Sequence, residues 1–115
     1  MQIPELPPRF IFSINITITI TITYSYLLGE YVRTRQMYNG FPVYKLEGSS
    51  YFFFYSQTGF WMVDSVLGGS GMLSSGLSGL RVPSATGWRY FENGRWIVEN
   101  SLTWRAGWGN RVIST

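Results

Sequence analysis

The chain contains no cysteine and no histidine among its 115 residues. The absence of cysteine excludes disulfide bonds and thiolate chemistry. The absence of histidine removes the commonest metal ligand and the commonest general base. Charged residues make up only 13% of the sequence, about half of the usual share. We therefore expect a protein that is not an enzyme and that needs neither a cofactor nor a metal.

The few charges form no recognisable catalytic pair. Glu92 and Glu99 flank a predicted hairpin and are the one carboxylate pair that would suit glycoside hydrolysis. Solvated turn residues explain the pair more simply. The net charge is +3 and arises after residue 80, where five arginines face two glutamates. That excess is too small to indicate nucleic acid as a partner.

Long hydrophobic runs are also missing. No stretch approaches the roughly twenty apolar residues of a transmembrane helix, so we expect none. Met1–Arg9 lacks the basic segment and the apolar core of a signal peptide. Secretion would therefore require a signal that has been removed, that is unconventional or that lies outside this sequence.

The most distinctive stretch that is present runs from Phe10 to Tyr26, with the sequence FIFSINITITITITYSY. Large residues occupy the even positions, and small hydroxyl residues or asparagine occupy the odd positions from Ser13 onward. This period of two, together with β-branched isoleucine and threonine, predicts a β-strand. Seventeen residues would extend roughly 56 Å, whereas a compact domain of this size spans about 35 Å.

A strand of that length needs a cover for its apolar face and its edges. We expect a neighbouring subunit to supply it through strand addition, which would propagate into a filament or fibre. The predicted interface side chains lie on the apolar face of this strand: Phe10, Phe12, Ile14, Ile16, Ile18, Ile20 and Ile22.

The remainder of the chain predicts short strands joined by tight turns. Asn39-Gly40 and Asn93-Gly94 indicate turns with positive φ, and Tyr51–Tyr55 with Phe60–Asp64 forms the clearest hairpin. No apolar pattern has helical spacing. The sequence therefore predicts an all-β fold, a small antiparallel β-sandwich or barrel-like domain with a long N-terminal arm. The predicted segments are an arm over residues 1–26, a β-rich module over 27–105 and a tail over 106–115.

The module has a recurring aromatic and glycine spacing. Its elements are Gly29-x-Tyr31, Tyr38-Asn39-Gly40-x-Pro42-x-Tyr44, Tyr51-x-x-x-Tyr55, Trp61-x-Val63, Pro83 and Gly87-Trp88. This spacing resembles a small uncharacterised β-rich module that occurs in tandem in large extracellular proteins of protists and marine invertebrates. The resemblance implies an extracellular or cell-surface protein with a structural or adhesive role, and it implies no catalytic residues.

The sequence also predicts a glycosylation site and a set of glycan-binding side chains. Asn15-Ile16-Thr17 matches the N-glycosylation pattern, so Asn15 would carry a glycan in a eukaryotic secretory route. Tyr38, Tyr90 and Trp108 are candidates for binding glycans if their rings lie at the surface. The leading hypothesis is a self-assembling structural protein. The alternative is a monomeric carbohydrate-binding or adhesive module whose arm folds into its own sheet.

Overall fold

The computed structural model describes residues 6–14 and 24–108 of the chain, with the side chain of Ile14 excepted. These residues form nine β-strands and a short 3₁₀ turn at Ser25–Leu27. The strands are β1 Arg9–Ile14, β2 Gly29–Tyr38, β3 Phe41–Leu46, β4 Phe52–Tyr55, β5 Trp61–Asp64, β6 Leu73–Ser74, β7 Arg89–Glu92, β8 Arg95–Val98 and β9 Leu102–Gly107.

All nine strands belong to one antiparallel sheet with the order β8-β7-β6-β5-β4-β3-β2-β1-β9. From β1 to β8, each strand pairs with the next strand in sequence. The exception is β9, which returns to pair with β1. The sheet curls into a half-barrel around its apolar face, so the predicted all-β fold is confirmed.

The first strand is an inner strand of this sheet. Antiparallel pairing joins β1 to β2, with Phe10 opposite Tyr31, and to β9, with Phe10 opposite Ala106. Arg9 on β1 also forms an ion pair with Glu30 on β2, at 2.9 Å between Nε and Oε1. Because both edges of β1 are occupied within the chain from Arg9 to Phe12, the backbone of these residues needs no partner from another subunit.

This pairing changes the role of two predicted interface residues. Phe10 and Phe12 are 0% and 1% exposed, and both belong to the main core of the chain. Their rings point to the inside of the curl, so in the single chain they are core residues rather than contacts to a neighbouring subunit. Ile14 ends β1. The predicted interface positions Ile16, Ile18, Ile20 and Ile22 lie outside the described residues.

The strand predicted from Phe10 to Tyr26 was wrong at its C-terminal end, where Tyr24 and Tyr26 lie at and within a 3₁₀ turn. Residues 25–27 form this turn, and β2 begins at Gly29. Leu27 is fully buried, and its carbonyl oxygen accepts a hydrogen bond of 2.7 Å from the Tyr31 hydroxyl. A buried leucine and a buried hydroxyl thus stabilise a turn where the local pattern favours extension.

The core consists mainly of aromatic rings. Phe53 on β4 is fully buried, and six rings surround it with centroid distances between 5.0 and 6.1 Å. Those rings come from β1, β2, β3, β5 and the segment before β7: Phe10, Phe12, Tyr31, Tyr44, Trp61 and Trp88. Edge-to-face and tilted packing of this kind contributes beyond the burial of apolar area.

Polar atoms of the buried rings have backbone partners. The indole nitrogens of Trp88 and Trp104 both donate to the carbonyl oxygen of Ser84, at 2.8 and 2.9 Å. The Tyr44 hydroxyl donates to the carbonyl oxygen of Pro7 at 2.5 Å. These bonds attach the loop before β7 and the segment before β1 to the core, and they satisfy donors that would be costly to bury alone.

Two predicted turns are confirmed by the backbone. Asn39 and Gly40 have φ of 50° and 82°, and Asn93 and Gly94 have φ of 51° and 80°. Positive φ at both central residues is the conformation that matches the twist of a two-residue hairpin. The hairpins β2–β3 and β7–β8 are therefore formed by local sequence chemistry.

We expect Phe12→Ala to reduce the free energy of unfolding by about 3–5 kcal/mol. The Phe12 ring packs against Tyr31, Phe53 and Trp88, so its loss leaves a cavity in the core. The control is Ile11→Ala at a half-buried position of the same strand, which should cost much less. Urea denaturation measures both, and equal effects would contradict the inner placement of β1.

The raised pKa of the Tyr44 hydroxyl should make the stability of the protein depend on alkaline pH. Burial raises the pKa of Tyr44 to about 12, whereas tyrosine in an unfolded chain has a pKa of about 10. The stabilisation is present below about pH 10 and is lost as the pH rises towards about 12, because the unfolded chain loses its proton first.

Tyr44→Phe should therefore make the decline in stability between about pH 10 and 12 less steep. At neutral pH the variant should be less stable by about 1–3 kcal/mol, since the carbonyl of Pro7 loses its donor. Urea titrations at several pH values test both effects. An unchanged slope would show that Tyr44 does not retain its proton in the folded state.

Candidate functional site

Four tyrosine rings lie in succession near the start of β2, and we call them the tyrosine row. Tyr90 contacts Tyr24 at 5.1 Å between ring centroids, Tyr24 stacks on Tyr26 at 6.3 Å, and Tyr26 contacts Tyr51 at 5.6 Å. Tyr26 is 48% exposed, and the other three are partly exposed. The row is therefore a continuous aromatic surface that solvent reaches.

The 3₁₀ turn and two distant strands position the row. Tyr24 and Tyr26 lie at and within the turn that the Leu27–Tyr31 contacts hold in place. The hydroxyl of Tyr24 donates to the carbonyl oxygen of Phe91 on β7. Tyr90 comes from β7 itself, and Tyr51 directly precedes β4. The row thus joins parts of the chain that are far apart in sequence.

The electrostatic environment of the row is acidic. Burial first, and then the carboxylate of Glu92, raise the pKa of Tyr24 and of Tyr90 above 10. Glu99 raises the pKa of Tyr90 further, and burial raises the pKa of Tyr26. At neutral pH these hydroxyls are protonated, and those of Tyr26 and Tyr90 offer donors, with carboxylate acceptors beside Tyr90, whereas the Tyr24 hydroxyl already donates to Phe91.

The combination of aromatic rings, hydroxyls and carboxylates in the tyrosine row determines what the row can bind. Aromatic faces pack against the C–H faces of a flat ring, and the hydroxyl and carboxylate groups at their rim form hydrogen bonds. Protonated phenols with raised pKa values are poor bases at neutral pH. The row is therefore suited to binding a ligand rather than to abstracting a proton from it.

Of the three predicted glycan-binding residues, only Tyr90 belongs to the row. Tyr38 lies at the end of β2, where its ring packs edge-on against Phe54 at 5.5 Å. It also lines a separate groove of about 390 Å³ with Ser56–Thr58 and Gly68–Ser70. Trp108 follows β9 and is 57% exposed. No ring contact among the described residues joins these three side chains.

Sequence reasoning missed Tyr24, Tyr26 and Tyr51 as partners of Tyr90. The signal for the first two was their shared face at the end of the alternating stretch, next to the predicted bend at Leu27-Leu28-Gly29. Nothing local indicated that this face meets β7. Asn15, the predicted glycosylation site, lies outside the described residues.

The described ranges hold no cluster of three His, Cys, Asp or Glu side chains that would bind a metal ion. Over those same ranges, no helix has the length and apolar character that crossing a membrane requires. Comparison of the chain with protein-family models, with curated proteins and with solved structures finds no match. The interpretation of the site therefore depends on its own geometry.

We expect Glu92→Gln to lower the pKa values of Tyr24 and Tyr90, because the substitution removes a negative charge that opposes ionisation of both hydroxyls. The pKa values should stay above 10, since burial is the larger cause. NMR titration of the tyrosine ring carbons measures this change. Glu47→Gln, in the turn after β3, is the control, and an equal effect there would disprove a local interaction.

Proposed function

We propose that this protein is a non-catalytic binding module of the cell surface or extracellular space, and that its tyrosine row binds a neutral glycan. The observation that carries the proposal is the succession of three ring contacts from Tyr90 to Tyr51 on an exposed surface. With a row of neighbouring rings, each successive sugar unit of an oligosaccharide can pack against a different ring.

The charges around the row support a neutral ligand. Glu92 and Glu99 act on the Tyr90 hydroxyl, and Glu92 also acts on Tyr24. Carboxylates accept hydrogen bonds from sugar hydroxyls, whereas they repel sulfated sugars and uronic acids. The positive net charge of the whole chain is therefore a poor guide to the ligand of this surface.

The placement of β1 supports binding by a single chain. Phe10 and Phe12 fill the chain's own core, so the row forms without a second subunit. The extracellular location follows from the resemblance of the module to repeats of extracellular proteins. It is tested by finding whether the protein reaches the cell surface in its source cells.

Tyr26→Ala should weaken the binding of a neutral oligosaccharide by about 5- to 30-fold, since a stacked aromatic face is worth about 1–2 kcal/mol. Tyr26 is suitable because its ring is the most exposed of the row. Isothermal titration with cellohexaose and laminarihexaose measures the affinity, and a heparin oligosaccharide serves as the acidic comparison.

The matched control is Trp108→Ala, which removes an aromatic side chain of 57% exposure that lies outside the tyrosine row. This variant should bind neutral oligosaccharide as the unaltered protein does. Equal loss in both variants, tighter binding of heparin, or no binding of either neutral oligosaccharide would contradict the proposal.

A second candidate function is self-assembly into a filament or fibre through the Ile/Thr segment, residues 15–23. The sequence alternates isoleucine with asparagine or threonine throughout this segment. Strands β8 and β9 stand at the two ends of the sheet order, and an unpaired strand edge accepts an added strand. In such an assembly β1 stays in the sheet of its own chain, and only residues 15–23 pair with a strand of a neighbouring subunit.

Two substitutions in that segment test assembly. Ile18→Asp should abolish assembly, because it places a charge on the apolar face that the neighbour would bury. Thr19→Asp places the same charge on the hydroxyl face and should be tolerated. Light scattering measures the size of each variant. Equal assembly of both variants, or a monomeric unaltered protein, would contradict this candidate.

A further inference from the structure

A second pocket lies away from the tyrosine row, beside the hairpin β7–β8. It has a volume of about 370 Å³, and its lining comes from the loop before β7 and from paired positions of the hairpin: Gly76, Leu77, Thr86, Gly87, Arg89 and Val98. Arg89 and Val98 are direct partners in the register of the two strands. The single charged side chain of the lining is thus held on a hydrogen-bonded strand.

Arg89 is partly buried without an anionic partner among the described residues. One terminal nitrogen, Nη2, donates to the carbonyl oxygen of Ser75 at 3.3 Å, and the guanidinium lies over the ring of Phe60 at 5.2 Å. The Nε atom is shielded from solvent and has no hydrogen-bond partner. The contacts with the Ser75 carbonyl and the Phe60 ring therefore leave the Nε donor of this guanidinium without a hydrogen-bond partner among the described residues.

An arginine in this position is expected to attract an anion. Guanidinium is always protonated in proteins, and its planar donors match the two oxygens of a carboxylate. A partly buried cation without a counter-charge is costly, so an anion that enters the pocket gains more than it would at a solvated arginine. One cation suits a monoanion better than a dianionic phosphate.

The rest of the pocket indicates what the anion is attached to. Leu77 and Val98 are 61% and 57% exposed, and they place two apolar side chains at the pocket. A Cβ on Gly76 would lie 2.4 Å from the carbonyl oxygen of Gly87, so the two backbone segments can approach only because residue 76 is glycine. Thr86 adds a hydroxyl to the lining.

We propose that this pocket binds a monocarboxylate that carries an apolar substituent, with Arg89 receiving the carboxylate and Leu77 and Val98 contacting the apolar group. This proposal is independent of glycan binding at the tyrosine row, because the two surfaces share no residue. The same chemistry occurs at the C-terminus of a peptide that ends in an apolar residue and in a short fatty acid.

The experiment is an NMR titration of the full-length protein with N-acetyl-L-leucine and with hexanoate, which represent the two sources. We expect amide shifts at residues 76, 77, 86, 87, 89 and 98 with at least one of them. N-acetyl-L-leucine amide, which has the same apolar group without the charge, should bind at least about tenfold more weakly than the acid. Glucuronate, a carboxylate without an apolar group, should also bind more weakly.

Arg89→Gln should weaken carboxylate binding at least about tenfold. Arg81→Gln is the control, since the Arg81 guanidinium lies over the ring of Phe41 outside the pocket. The comparison of acid with amide needs no variant, so it decides the matter even if Arg89→Gln fails to fold. Absence of shifts in the pocket, equal binding of acid and amide, equal or tighter binding of glucuronate, or unchanged binding by Arg89→Gln would overturn the proposal.

Discussion

The packing of aromatic rings around Phe53 is the interaction on which the rest of the structure depends. Six rings enclose this side chain, and two of them, Phe10 and Phe12, belong to β1. A chain of this size has a modest core, so a cluster of large rings supplies much of its buried area. Removal of β1 would expose the centre of that cluster, which makes the strand indispensable to the module.

The tyrosine row is a consequence of the same packing. The 3₁₀ turn that carries Tyr26 comes directly before β2, which pairs with β1 in the core. At the start of this turn Tyr24 packs against Tyr90 on β7, and its hydroxyl donates to the carbonyl oxygen of Phe91. The core therefore determines which tyrosines meet at the surface, and the acidic side chains of β7 and of the segment after β8 determine their electrostatic environment.

Local patterns in the sequence predicted the features that local chemistry controls. Apolar runs on either side of turn residues located the hairpin β4–β5, and Asn39-Gly40 and Asn93-Gly94 located turns that require positive φ. The 3₁₀ turn at Ser25–Leu27 was not predictable from the alternation, because Tyr24 and Tyr26 continue its row of large residues. The turn at Leu27 is held by the burial of its side chain and by the hydrogen bond from Tyr31 to its carbonyl oxygen, which are tertiary contacts.

The pairing of strands that are far apart in the chain could not be predicted from the sequence either. The partner of β1 on its second edge, β9, lies near the other end of the chain, and no periodicity in either strand specifies it. For the same reason only Tyr90 of the tyrosine row was identified, and nothing in the sequence indicated the partly buried position of Arg89. The resemblance that we propose to extracellular repeats begins at Gly29 and so contained no information about β1.

The central claim is that β1 completes the core of its own chain. It is tested most directly by isotope-filtered NMR on a mixture of labelled and unlabelled protein that has been unfolded and refolded together. Phe12 and Trp88 have ring centroids 5.0 Å apart, so their protons should give a strong nuclear Overhauser effect. The account predicts that this effect arises only within one chain. An effect between labelled and unlabelled chains would show that β1 is exchanged between subunits and would contradict it.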